Sequence, residues 1–133
     1  MTDSIPLYLY KLIPSTSPVL EPIPERLPVS DIDHQSGFIH LSTAFQVPNT
    51  LKFFFKDEPI VYVLRIRYER VEQDIRWEDP EGKVCGPRPN EGLFPHLYNG
   101  LNLGRQEVES MAVWRNDNGW DNALNRARPW LIY

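Results

Sequence analysis

Few residues in this chain could carry chemistry, and they fall into two short blocks. The first is Gly37-Phe38-Ile39-His40-Leu41-Ser42, and the second is Phe94-Pro95-His96-Leu97-Tyr98. On a strand, alternate side chains share a face. Phe38, His40 and Ser42 therefore point one way, with Ile39 and Leu41 on the other side. If the aliphatic pair faces the core, His40 and Ser42 line the opposite surface together. A histidine beside a hydroxyl can hydrogen-bond a polar ligand such as a ribose, or form a nucleophile–base pair. The plain alternative is a strand histidine bonded to a neighbouring carbonyl. His96 follows a proline that fixes its own backbone and restricts Phe94, which suits a rigidly held site residue or a packed loop corner. Arg76-Trp77-Glu78 ends a brief predicted strand ahead of a long loop. A carboxylate there can act as a general base or ribose ligand, or form a surface ion pair worth little.

His34, His40 and His96 are the three histidines, and their spacing matches no short zinc motif. No metal is expected. GxxxxGK[ST], GxGxxG and GxSxG are all missing, which argues against P-loop, Rossmann and α/β-hydrolase readings.

The elements that must position these residues can be read from periodicity. Residues 6–13 (PLYLYKLI) predict an opening strand, GFIHL at 37–41 a short one, and 74–78 (DIRWE) a brief one. Residues 59–68 (PIVYVLRIRY) predict the strongest strand. Both its faces are apolar at first, then Arg65 and Arg67 share one face, as expected of a central strand whose far end reaches solvent or a cleft. Residues 107–114 predict the last strand. Helical spacing places Ala44, Val47, Leu51 and Phe54 or Phe55 on one face of 43–55, with Pro48 able to start a second piece. One or two helical turns are expected from Asp121 to Arg128, and Trp120, Trp130, Leu131 and Ile132 should dock the tail, 115–133, on the body.

Proline makes up 13 of 133 residues, about twice the usual share of roughly 5%. Long helices are therefore not expected, and ordered loops are. Five prolines fall in 14–28, a segment whose Val19, Leu20, Ile23 and Leu27 should pack on the body. Three more lie in the fifteen-residue loop 79–93. The length fits one domain, residues 1–133. One cysteine, Cys85, excludes a disulfide framework. With no apolar run of membrane-spanning length and no basic leader before the first apolar stretch, the expected setting is cytoplasmic. A net charge of −4 argues against general nucleic-acid binding. Strands outnumber helices, so the class is α+β: a small, split, mostly antiparallel sheet with one or two short helices.

Tyr10-Lys11-Leu12, Gly37 to Thr43 with Gln46, Arg76-Trp77-Glu78, and Leu93 to Tyr98 together resemble the domain-of-unknown-function 952 family. Order and spacing match over roughly residues 7–114. That family in turn resembles the ADP-ribosyltransferase fold, closest to the tRNA 2′-phosphotransferase branch, whose VHLS-like strand corresponds to Ile39 to Ser42. The resemblance implies a cleft suited to NAD or ADP-ribose. In it His40 and Ser42 hold ribose or phosphate, and Glu78 orients a hydroxyl or acts as base. His96 and Tyr98 close the pocket, Arg88 pairs with phosphate, and Trp77 packs behind. Lys11 stands where the transferases' first strand usually carries a ribose-contacting histidine. Two readings follow. One is an enzyme or binder of NAD, ADP-ribose or a related small nucleotide. The other is a non-catalytic ligand- or protein-binding module that keeps the fold.

Overall fold

The computed structural model describes residues 5–79, 84–86 and 93–133. Its strands form two antiparallel sheets. The first has the order β1 (Tyr8–Pro14), β3 (Ile60–Arg67), β7 (Val108–Arg115). The second runs β2 (Ile39–His40), β6 (Phe94–Leu97), β4 (Ile75–Glu78), β5 (Val84–Gly86). β3 is central, as its two apolar faces predict: Val61, Val63, Leu64 and Ile66 are all fully buried.

Strand alternation divides the core in two. Leu9, Leu64 and Ile66 face one way and meet Ile39, Leu41, Trp77 and Leu97 of the second sheet region. Tyr8, Tyr10, Leu12, Val61 and Val63 face the other way, where Val47 and Leu51 and the C-terminal Trp120, Ala123 and Ala127 cover them. Ser42 joins the two sheets. Its N–H donates to Tyr10 O and its carbonyl accepts from Tyr10 N–H, both at 2.8 Å.

The helical content exceeds the expected one or two pieces. Four α-helical segments are present among the described residues: α1 (Asp31–Ser36), α2 (Val47–Phe54), α3 (Tyr68–Val71) and α4 (Asp121–Ala127). A 3-10 turn, Glu72–Asp74, follows α3. α1 and α3 are too short to show a helical period in the sequence. α2 carries proline in its first turn and buries Val47 and Leu51, but Phe54 is 79% exposed and Phe55 packs inward instead.

The segment 14–28 lies on the body through Val19 and Leu27, whereas Leu20 is 72% exposed. Two further expectations are corrected. The stretch 79–93 contains β5 and so is not one structureless loop, and FPHL is a strand rather than a loop corner. At the far end of β3 Arg67 reaches solvent as expected, its side chain 43% exposed, while Arg65 is covered. Arg65 pairs with Glu109 at 2.9 Å, donates to Trp130 O, and lies 4.3 Å from the Tyr8 ring centre.

The C-terminal tail is held partly by one hydroxyl. Tyr10 OH accepts from Ile132 N–H at 2.8 Å and donates to Trp130 O at 3.1 Å. Removing it leaves the Ile132 N–H without that partner, so Tyr10→Phe should cost about 1–2 kcal/mol. Urea unfolding is the check, together with faster proteolysis beyond residue 128. Unchanged stability would show that the tail is held by its apolar contacts alone.

Candidate functional site

Register brings the two blocks together. In the second sheet His40 lies opposite His96, and Arg76 lies opposite His96 on its other side. Opposite residues share a face, so His40, His96 and Arg76 form a row across three strands. Trp77 and Leu97 point the other way, into the core between the sheets. The two imidazole ring centres are 5.2 Å apart. Phe38 stacks on His96 at 4.2 Å and lies 4.6 Å from His40 and 5.0 Å from Tyr98.

Each histidine is backed by its own buried carboxylate. Asp33 is 2% exposed, and its Oδ1 lies 2.6 Å from His40 Nδ1. Its Oδ2 accepts from Lys11 Nζ at 2.8 Å, and Lys11 also donates to His40 O at 3.2 Å. Glu78 is 1% exposed, and its Oε1 accepts from Tyr98 OH at 2.6 Å and meets His96 Nδ1 at 2.8 Å. An ionised carboxylate only accepts, so each Nδ1 carries the proton. That leaves Nε2 of both rings to engage a ligand, and neither Nε2 has a hydrogen-bond partner among the described residues. The His40 side chain is 30% exposed while that of His96 is 2% exposed, so His40 forms the open side of the pair and His96 its floor.

Burial sets the electrostatics. It opposes ionisation of Asp33, but the hydrogen bonds and charge of His40 and Lys11 outweigh it and hold the carboxyl below its ordinary value. Burial pushes His96 below its usual value, against the pull of the Glu78 hydrogen bond. Tyr98 is pushed up to about 12, first by burial and then by the hydrogen bond and charge of Glu78.

Of the residues read from the sequence, His40, His96, Glu78 and Tyr98 converge here. Trp77 packs behind them, with its indole N–H toward Tyr68 OH at 3.4 Å. Lys11 reaches the site only through Asp33 and the His40 carbonyl. Ser42 is not beside His40: β2 ends at His40, the chain turns to pair with Tyr10, and Ser42 Oγ lies 3.4 Å from Thr50 Oγ1. Arg88 lies outside the described residues. His34 is exposed on α1, apart from the pair. Among the described residues no group of three or more His, Cys, Asp or Glu side chains is placed to hold a metal ion.

Sequence reasoning missed Asp33. Its signal was Ser30 followed by acidic residues, a helix start. Ser30 Oγ accepts from Asp33 N–H at 3.3 Å, and Gly37, at φ 81°, closes α1 and turns the chain into β2. A hollow of about 300 Å³ lies elsewhere, near Glu21, Arg105 and Glu109. It gathers no histidine or buried carboxylate, so the chemistry favours the histidine face.

No curated protein matches the chain. The fold is similar to the crystal structure of protein CC0527 from Caulobacter crescentus. The TM-score is 0.63 at 24% identity, covering 89% of this chain and 98% of that one. The solution NMR structure of CC0527 gives 0.58 at 26% identity, covering 84% and 87%. Residues 23–111 match the family described as Protein of unknown function (DUF952), and with well over half of its length in that match the chain belongs to that family.

Proposed function

We propose that the histidine face binds a small nucleotide of the NAD or ADP-ribose type, on a body built like an ADP-ribosyltransferase. The observation that carries this reading is the pair of imidazoles, 5.2 Å apart, each fixed through Nδ1 by a buried carboxylate. Two fixed Nε2 atoms accept hydrogen bonds from ribose hydroxyls or, when protonated, donate to phosphate. Tyr98, half-buried, supplies aromatic surface beside them, backed by the buried Phe38.

Calorimetry with ADP-ribose and with NAD tests this. The protein is expected to bind at least one of them. His40→Ala should weaken that affinity about 10–100-fold, the loss of a hydrogen bond or two to a charged ligand. No heat from either ligand at millimolar concentration, with folded protein, would refute it.

One observation favours a non-catalytic module. Lys11, in the position that the family resemblance gives to a ribose contact, is engaged by Asp33. Release of nicotinamide from labelled NAD distinguishes an NAD-cleaving transferase from a protein that leaves that bond intact.

A further inference from the structure

Arg76 completes the row. It stands beside His96 in register, its exposed guanidinium lies 4.4 Å from the Tyr98 ring centre, and it has no hydrogen-bond or ion-pair partner among the described residues. Arginine keeps its charge and presents a fork that fits phosphate oxygens. Two carboxylate-oriented imidazoles beside one such cation make an acid, a base and an anion clamp on a single sheet face.

We propose that this row hydrolyses a cyclic phosphodiester on a nucleotide ribose, a reading that rests on the nucleotide site above. His96 Nε2 takes a proton from water as the water oxygen bonds to phosphorus. The bond from phosphorus to the ribose 2′ oxygen breaks, and His40 Nε2–H protonates that oxygen. The product is a ribose 3′-phosphate monoester, with no change of oxidation state. The proton returns from His96 to His40 through solvent. Arg76 pairs with the non-bridging phosphate oxygens.

The choice of bond follows from what a paired acid and base accomplish. A departing ribose oxygen needs a proton, whereas nicotinamide leaves NAD as a neutral base and needs none. Water is the nucleophile because the hydroxyl nearest in sequence, Ser42, lies against Thr50. His96 suits the base: it is buried and held below its usual pKa. His40 is the more open ring, its side chain 30% exposed, so its free edge is within reach of solvent. The groups facing the pair among the described residues are Asp33 from α1, Lys11 from β1, Glu78 and Arg76 from β4, and Tyr98 after β6.

The test uses the full chain with adenosine 2′,3′-cyclic phosphate, followed by phosphorus NMR. The monoester should appear, with a bell-shaped pH–rate profile whose two limbs belong to the coupled pair. His40→Gln and His96→Gln should each lower kcat by about 10²–10⁴. Arg76→Ala, at an exposed position, should raise KM about tenfold or more while melting like the wild type. Suppose the wild type binds ADP-ribose or NAD yet makes no monoester above the uncatalysed rate. The hydrolysis proposal is then overturned and the nucleotide site stands. Neither binding nor turnover overturns both. Wild-type turnover in folded His40→Gln or Arg76→Ala also overturns it.

Discussion

Asp33→Ala is expected to cost about 3–5 kcal/mol, the range for removing one partner of a buried ion pair. Asp33 is 2% exposed and Lys11 13%, so truncation strands a largely buried ammonium. The same carboxylate accepts from the backbone N–H of His40 and holds its ring. α1, the β1 lysine and the β2 histidine therefore come loose together. Urea unfolding with an unchanged slope reads the loss. Replacing both partners by apolar residues, as Asp33→Leu with Lys11→Met, should recover only the part due to the stranded ammonium, because the His40 N–H and ring stay without their acceptor. A cost below 1 kcal/mol for Asp33→Ala would mean that the pair does not organise this corner.

The acid response follows from the same groups. The folded-state pKa of Asp33 lies below 3.8, so its contribution is present above that value and is lost as pH falls through the lowered pKa. His96 is pushed below 6.5, so the unfolded chain takes up its proton first. Stability should start to fall as pH drops past about 6.5, and again in the carboxylate range. His96→Gln should flatten the first step.

Gly104→Ala is expected to be as damaging, for a steric reason. A β-carbon at residue 104 would overlap Glu25 O and lie 2.5 Å from its carbonyl carbon and 2.8 Å from Pro24 O. All three are backbone atoms, so no side chain can swing away. The two segments are also tied together: Leu27 N–H donates to Leu103 O at 2.8 Å, and Arg105 N–H to Pro24 O at 2.9 Å. The alanine must pry the proline-rich segment off the body and uncover Leu27 and Val19. A loss of about 3 kcal/mol or more is expected. For a chain of this length that is a fall in Tm on the order of 10 °C. Proteolysis should move to residues 14–28. The histidine pair is remote from this contact in the chain, so whatever fraction stays folded should keep its ligand affinity. A wild-type Tm would contradict the close approach.

How far the sequence was legible depended on element length. β3 shows its central place because eight residues carry enough alternation to reveal two buried faces. β7 and α4 lay close to where periodicity put them. Alternation around His40 correctly set Ile39 and Leu41 inward. It misplaced Ser42 because the argument assumes one continuous strand, and β2 pairs for only two residues before the chain crosses to the other sheet.

Pro95 hid β6, since proline is normally confined to edge strands. Here Pro95 O accepts from Leu41 N–H, one residue beyond β2. In an antiparallel ladder the N and C=O of a residue face the same neighbour. The missing N–H therefore falls where β2 has already ended. The helix start at Ser30 was readable, but the role of Asp33 was hidden for another reason. That role depends on a helix of six residues and a left-handed glycine that fold it back onto a histidine seven positions later. Only the tertiary structure makes that proximity.

The central claim is that His40 and His96 are fixed through Nδ1 and offer Nε2 to a nucleotide. With three histidines in the chain, imidazole ¹⁵N NMR of the labelled protein reads it directly, and exposed His34 serves as the internal reference. At neutral pH His96 should show a protonated Nδ1 and an unprotonated Nε2. Adding ADP-ribose or NAD should move the Nε2 signals of His40 and His96 and leave His34 in place. A proton on Nε2 of His96, or no movement of either ring with both nucleotides at millimolar concentration, would contradict the account.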